Sequence, residues 1–160
     1  MAGKIILDTL QDNLLKIEEE LIINSSEKMQ EWGESFSKKI PSTINVIIFI
    51  GELGTGKTTL IKGLSKGLNI NPEEVNSPSF TYLNIYETTQ SLIYHFDLYR
   101  INDLKQFQAM GFEEKLSDNA FCLIEWGELI FPIIDTSSTL VIKLHHQDMQ
   151  TRKLQLFSFL

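Results

Sequence analysis

Apolar residues at Ile5, Ile6, Leu10, Leu14 and Ile17 recur among polar neighbours at helical spacing, which predicts an amphipathic helix over 4–18. The run Leu21-Ile22-Ile23 then predicts a short edge strand. Asn24 or Ser25 offers an N-cap, with Glu27 three residues after Asn24 for a capping box. A helix over 26–39 follows, stopped by Pro41. Val46–Ile50 is wholly apolar and rich in β-branched residues, the pattern of a strand buried on both faces and parallel to its neighbours. A helix is expected over 57–67, ending near Gly67. Ser79–Glu87 and Gln90–Tyr99 read as a β-hairpin turning near Thr88 and Thr89. Residues 102–117 are polar and broken by Gly111, which predicts one or two short helices. Phe121–Ile124 is a second fully apolar strand and stops abruptly at Glu125, while Thr139–Leu144 and Arg152–Phe159 read as a closing antiparallel pair. Neither an internal repeat nor a low-complexity tract nor a linker interrupts this order. The expectation is one α/β domain with a mixed, mostly parallel central sheet flanked by helices and carrying antiparallel hairpins. Residues 1–19 would form an N-terminal helical extension and 20–160 the domain itself.

Composition narrows the class. The chain has 160 residues, 42% hydrophobic and 22% charged, which suits a folded domain and excludes wholesale disorder. No apolar run approaches the roughly 20 residues of a membrane span. Asp8 and Asp12 fall where a signal peptide would continue its apolar region, so a cytoplasmic protein is expected. A single cysteine, Cys122, excludes a disulfide framework or a cysteine metal site and reads as a small buried hydrophobe. The net charge of -7 argues against strong direct nucleic-acid binding, because gripping phosphates needs clustered lysine and arginine.

The chemistry begins where the Val46–Ile50 strand ends. Gly51-Glu52-Leu53-Gly54-Thr55-Gly56-Lys57-Thr58-Thr59 satisfies G-x-x-x-x-G-K-[ST] in full, between a buried strand and a helix. Glycines let the backbone curl so that successive N–H groups point at one anion, and the helix N-terminus near Lys57 adds its dipole. Lys57 supplies a point charge to the β- and γ-phosphates, and the Thr58 hydroxyl can coordinate Mg²⁺. The pattern predicts a P-loop NTPase-like domain that takes a nucleoside triphosphate and Mg²⁺.

A metal-bound triphosphate also needs an acidic partner at the end of a neighbouring strand. F-C-L-I-E, ending in Glu125, matches better than Y-H-F-D, ending in Asp97, because four apolar residues precede the carboxylate. Glu125 is assigned to the metal; the alternative is an N-cap for a following helix. Asp97 is then free to orient or deprotonate the attacking water, its alternative being a solvated strand end paired with Arg100. Alternation places His95, Asp97 and Tyr99 on one face of their strand. His95 reads as a structural histidine, its alternative being to tune Asp97, and Arg100 as a salt-bridge partner, its alternative being an arginine finger acting in cis. Trp126 and Trp32 read as core residues, the alternative for Trp126 being a place near the nucleotide or a partner. His145 and His146 point to opposite faces and cannot chelate together.

No N-K-x-D guanine motif occurs, and only two arginines, Arg100 and Arg152, stand against twelve lysines, too few for the arginine lid of a small-molecule kinase. A minimal, partner-dependent ATPase is the leading reading. A small-molecule kinase and a nucleotide-gated adaptor are the alternatives.

Four segments in order, G-E-L-G-T-G-K-T-T-L at 51–60, S-P-S-F-T-Y at 77–82, H-F-D-L-Y-R at 95–100 and I-E-W-G-E at 124–128, resemble the TsaE (YjeE) family. The resemblance runs from residue 20 to the C-terminus. It implies the small bacterial ATPase used in making threonylcarbamoyladenosine in tRNA. It also implies ATP bound at Gly54–Thr59, Mg²⁺ held by Thr58 and Glu125, and a role for Asp97 in hydrolysis. Ser77-Pro78-Ser79 matches a switch-like S-P-T loop, with Ser79 keeping the hydroxyl of the threonine. The implied partner is a complex of the TsaB and TsaD proteins, reset between turnovers by ATP hydrolysis.

Overall fold

The computed structural model describes residues 14–160. The strands are β1 (Leu15–Ile23), β2 (Val46–Ile50), β3 (Leu83–Glu87), β4 (Leu92–Asp97), β5 (Ala120–Glu125), β6 (Thr139–His146) and β7 (Arg152–Phe159). The helices are α1 (Ser26–Ser37), α2 (Lys57–Gly67), α3 (Leu104–Ala109) and α4 (Phe112–Leu116), with a 3₁₀ segment over Gly127–Ile133.

All seven strands form one sheet in the order β1-β7-β6-β2-β5-β4-β3. The four central strands β6, β2, β5 and β4 run parallel, and antiparallel partners close both edges. All five residues of β2 are buried, as an unbroken apolar run at the centre of a parallel sheet requires. Ile47 and Phe49 pack on one side beneath α1 and α2, with Leu60, Ile61 and Leu64. Val46, Ile48 and Ile50 pack on the other side with Phe96, Phe107, Phe112 and Ile130. Gly63 lets α1 and α2 touch: a Cβ there would lie 2.4 Å from Gln30 O. Ser25 is the N-cap of α1, its Oγ accepting from the Lys28 N–H at 3.1 Å.

The helix expected over 4–18 is corrected at its C-terminal end. From Leu15 onward the chain is strand, and β1 pairs antiparallel with β7 from Leu15↔Phe159 to Ile23↔Arg152. Residues 1–13, which carry the rest of that expected helix, lie outside the described residues. A register shift between Ile17 and Glu19 breaks the strand's alternation, which is why the apolar spacing mimics a helix. The acidic residues Glu18 and Glu20 are tied across the strands. Ser158 Oγ donates to Glu18 and Gln155 Nε2 to Glu20, both at 2.6 Å. The position expected as a boundary, between residues 19 and 20, lies inside β1, and among the described residues the first strand starts at Leu15. The hairpin strands are also shorter than expected, since residues before Leu83 form a loop.

The carboxyl ends of β2, β5 and β4 open on the same edge of the sheet, the position where ligands bind in open α/β folds. No described helix is long and apolar enough to cross a membrane.

Candidate functional site

The loop from β2 to α2 turns through positive φ at Gly54 (75°) and Gly56 (100°), backbone that a side chain would strain. Gly56 caps α2 without a side-chain bond, so the helix N-terminus faces outward undisguised. Lys57 is buried, and its Nζ donates to the carbonyls of Gly51 (2.6 Å) and Glu52 (2.9 Å). The Trp126 ring lies 4.1 Å from the same ammonium. Burial pulls the Lys57 pKa below the ordinary lysine range, against the opposing pull of Glu125, Glu128 and Asp97. Thr55 Oγ1 donates back to Glu52 O at 2.9 Å and tightens the loop. From the β6–β7 hairpin, His146 Nε2 donates to Leu53 O at 3.2 Å and Arg152 Nη2 to Gly54 O at 3.3 Å. The outer carbonyls of the loop are thereby braced.

Two carboxylates meet at the strand ends. Asp97 and Glu125 are register partners on β4 and β5, so their side chains share the face beneath α2. Both are 3% exposed. Thr58 Oγ1 lies 3.0 and 3.1 Å from the two Glu125 oxygens. Ser77 Oγ donates to Asp97 Oδ2, and the Tyr99 N–H donates to Oδ1 at 3.0 Å. A hydroxyl beside a carboxylate is a hard-oxygen donor pair suited to Mg²⁺, which takes few protein ligands and completes its shell with phosphate oxygens and water. Among the described residues no three His, Cys, Asp or Glu side chains gather as a closed metal cage.

Trp126, at φ 58°, turns the chain sharply after β5 and swings its ring back over Lys57, where Tyr99 packs against it at 4.9 Å. The cleft enclosed by these groups measures about 440 Å³, and Ser77, Ser79, Arg100 and both carboxylates line it. A second cavity of about 110 Å³ lies behind the loop, lined by Ile23, Ser25, Met29, Thr59 and Arg152.

A glycine-turned loop thus stands at the tip of a buried strand, with a hydroxyl and two carboxylates beneath it. The family model described as "Threonylcarbamoyl adenosine biosynthesis protein TsaE" matches residues 23–154. The chain belongs to the TsaE family. The tRNA threonylcarbamoyladenosine biosynthesis protein TsaE of Haemophilus influenzae is 32% identical over 130 residues, covering 79% of this chain and 82% of that one. The protein of the same name from Aquifex aeolicus is 30% identical over 144 residues, covering 89% and 98%. Among solved structures, "Crystal structure of Bacillus subtilus YdiB" shares the fold with a TM-score of 0.68, at 23% identity over 92% of this chain and 88% of that chain.

Within this TsaE family domain, Gly51–Thr59, Asp97 and Glu125 converge at one end of the sheet. Glu125 is no helix cap: Trp126 precedes the 3₁₀ segment, and the carboxylate turns to Thr58. Asp97 is no solvated strand end, and Arg100 is not its partner. The Arg100 guanidinium lies 4.3 Å over the ring of Phe80, which is 77% exposed. Trp126 is a wall of the site as much as a core residue, and Trp32 stacks on Phe36 at 4.8 Å. His145 and His146 part as alternation required. Sequence reasoning missed the Trp126–Lys57 contact, the His146 and Arg152 braces, and the partner of His95. A serine in S-P-S was the one visible hint that Asp97 had a hydroxyl to meet.

Proposed function

We propose that this TsaE family chain binds and hydrolyses ATP with Mg²⁺ in the service of threonylcarbamoyladenosine formation in tRNA, acting on a TsaB–TsaD complex. The observation that carries the reading is the meeting of Thr58 with Glu125 beside Lys57, with Asp97 on the adjoining strand facing the same cleft. The loop and the α2 N-terminus would receive the phosphates, with Lys57 released from the Gly51 and Glu52 carbonyls to meet them. Thr58 and Glu125 would hold the cation, which when bound supplies positive charge against the β- and γ-phosphate oxygens. Asp97, fixed by Ser77 and the Tyr99 N–H, would take the hydrogen bond of the attacking water and orient or deprotonate it. The smaller cavity, with Ile23 and Met29 in its wall, suits the flat apolar faces of a base.

The scarcity of arginine supports dependence on a partner, since this chain has little with which to clamp the transferring phosphoryl group itself. The relatives of Haemophilus influenzae and Aquifex aeolicus, both named for tRNA threonylcarbamoyladenosine biosynthesis, support the link to tRNA. Calorimetry with ATP and Mg²⁺ tests the reading. Lys57→Ala should abolish measurable binding while circular dichroism stays unchanged; a folded Lys57→Ala variant with undiminished affinity would sink it.

A further inference from the structure

His95 is wholly buried, and both of its ring nitrogens have side-chain partners. It stands on β4 two residues before Asp97 and on the same face. Its register partner is Leu123, so the ring reaches diagonally to Glu125 on β5, with Nε2 2.8 Å from Oε1. An ionised carboxylate only accepts, so Nε2 carries the hydrogen of that bond. Nδ1 lies 3.2 Å from the Tyr86 hydroxyl. The Tyr86 oxygen accepts from Asn84 Nδ2 at 3.5 Å, which leaves its own hydrogen for Nδ1. Asn84 Nδ2 is in turn anchored on Asn76 O at 3.1 Å. The ring is thus held at both nitrogens, by Glu125 at Nε2 and by Tyr86 at Nδ1, and its aim is set. Packing alone does not require this, because an apolar ring would fill the space without burying two polar nitrogens.

We propose that His95 is a positioning residue for the metal-binding carboxylate: held at Nδ1 by Tyr86, it donates to Glu125 Oε1. The remaining lone pairs of Glu125, with the Thr58 hydroxyl, are thereby turned toward the divalent cation that accompanies the nucleotide. The inference rests on the proposed reading of Glu125 as a metal ligand. Supporting groups of this kind orient a ligand, and losing one lowers metal affinity by about 10–100-fold.

Mn²⁺ serves as the probe, titrated by electron paramagnetic resonance in the presence of ADP, with ADP binding in EDTA measured separately by calorimetry. His95→Ala should weaken Mn²⁺ by about tenfold or more and leave metal-free ADP binding unchanged. His95→Gln, whose amide can donate to the same oxygen, should recover most of the loss. Tyr86→Phe keeps the ring volume and should show a smaller loss of the same kind, so it decides the matter if His95→Ala does not fold. Parental Mn²⁺ affinity in Tyr86→Phe and in folded His95→Ala would overturn the proposal. So would a matching fall in metal-free ADP binding, which would make the role structural. Should the parent protein itself bind ADP but no Mn²⁺, the metal assignment of Glu125 falls and this inference with it.

Discussion

Thr58 and Glu125 stand 67 positions apart in the chain yet meet at 3.0 Å, and much of the site depends on such meetings. The loop residues were legible because their demands are local: glycine for positive φ, lysine for charge, threonine for a hydroxyl. The partner of His95 was not legible. Alternation gave its face, but the strand beside it and the register of Leu123 are properties of the sheet. Cys122 gives a prediction at this scale. It is fully buried, and burial pushes its thiol up to about 12 from 9.0. The unfolded chain therefore loses this proton first, so the group's contribution to stability is complete below about pH 9 and declines as pH rises toward 12. Urea unfolding of Cys122→Ala should show a shallower alkaline decline, by up to about 1.4 kcal/mol per pH unit. A native-state thiol assay at pH 8 should find Cys122 unreactive. Rapid labelling of the folded protein would contradict its place in β5.

Among the elements, β2, α1, α2, β5 and the β6–β7 pair follow from pattern, because each buries one clear face or two. β1 did not, because its bulge replaces alternation with a helix-like spacing and its partner lies at the far end of the chain. The α1–α2 contact rests on small residues whose role no periodicity reveals. Gly63→Ala would press a methyl to 2.4 Å from Gln30 O, so we expect destabilisation of about 1–3 kcal/mol in a urea titration. An unchanged midpoint would mean that the two helices are not held at this distance. Because α2 begins at Lys57, loosening this contact should also weaken nucleotide binding.

The whole molecule carries a net charge of -7 and offers a site with two carboxylates at its base. Tight, salt-sensitive tRNA binding by this chain alone is not expected. A gel-shift titration should give a dissociation constant no tighter than the non-specific range of about 10⁻⁴–10⁻⁶ M at physiological salt. Under the proposed function, the partner complex would handle the RNA and this chain would contribute nucleotide turnover. The sheet order could not be read from sequence, yet the fold class could, since alternating strands and helices around a phosphate loop admit few arrangements. The central claim is best tested by the release of free phosphate from ATP and Mg²⁺, with and without the TsaB–TsaD complex. The account predicts release that rises when the complex is added and falls by about 10²-fold or more in Asp97→Ala, with ATP binding kept. Phosphate appearing on a small-molecule acceptor, or undiminished release by Asp97→Ala, would contradict it.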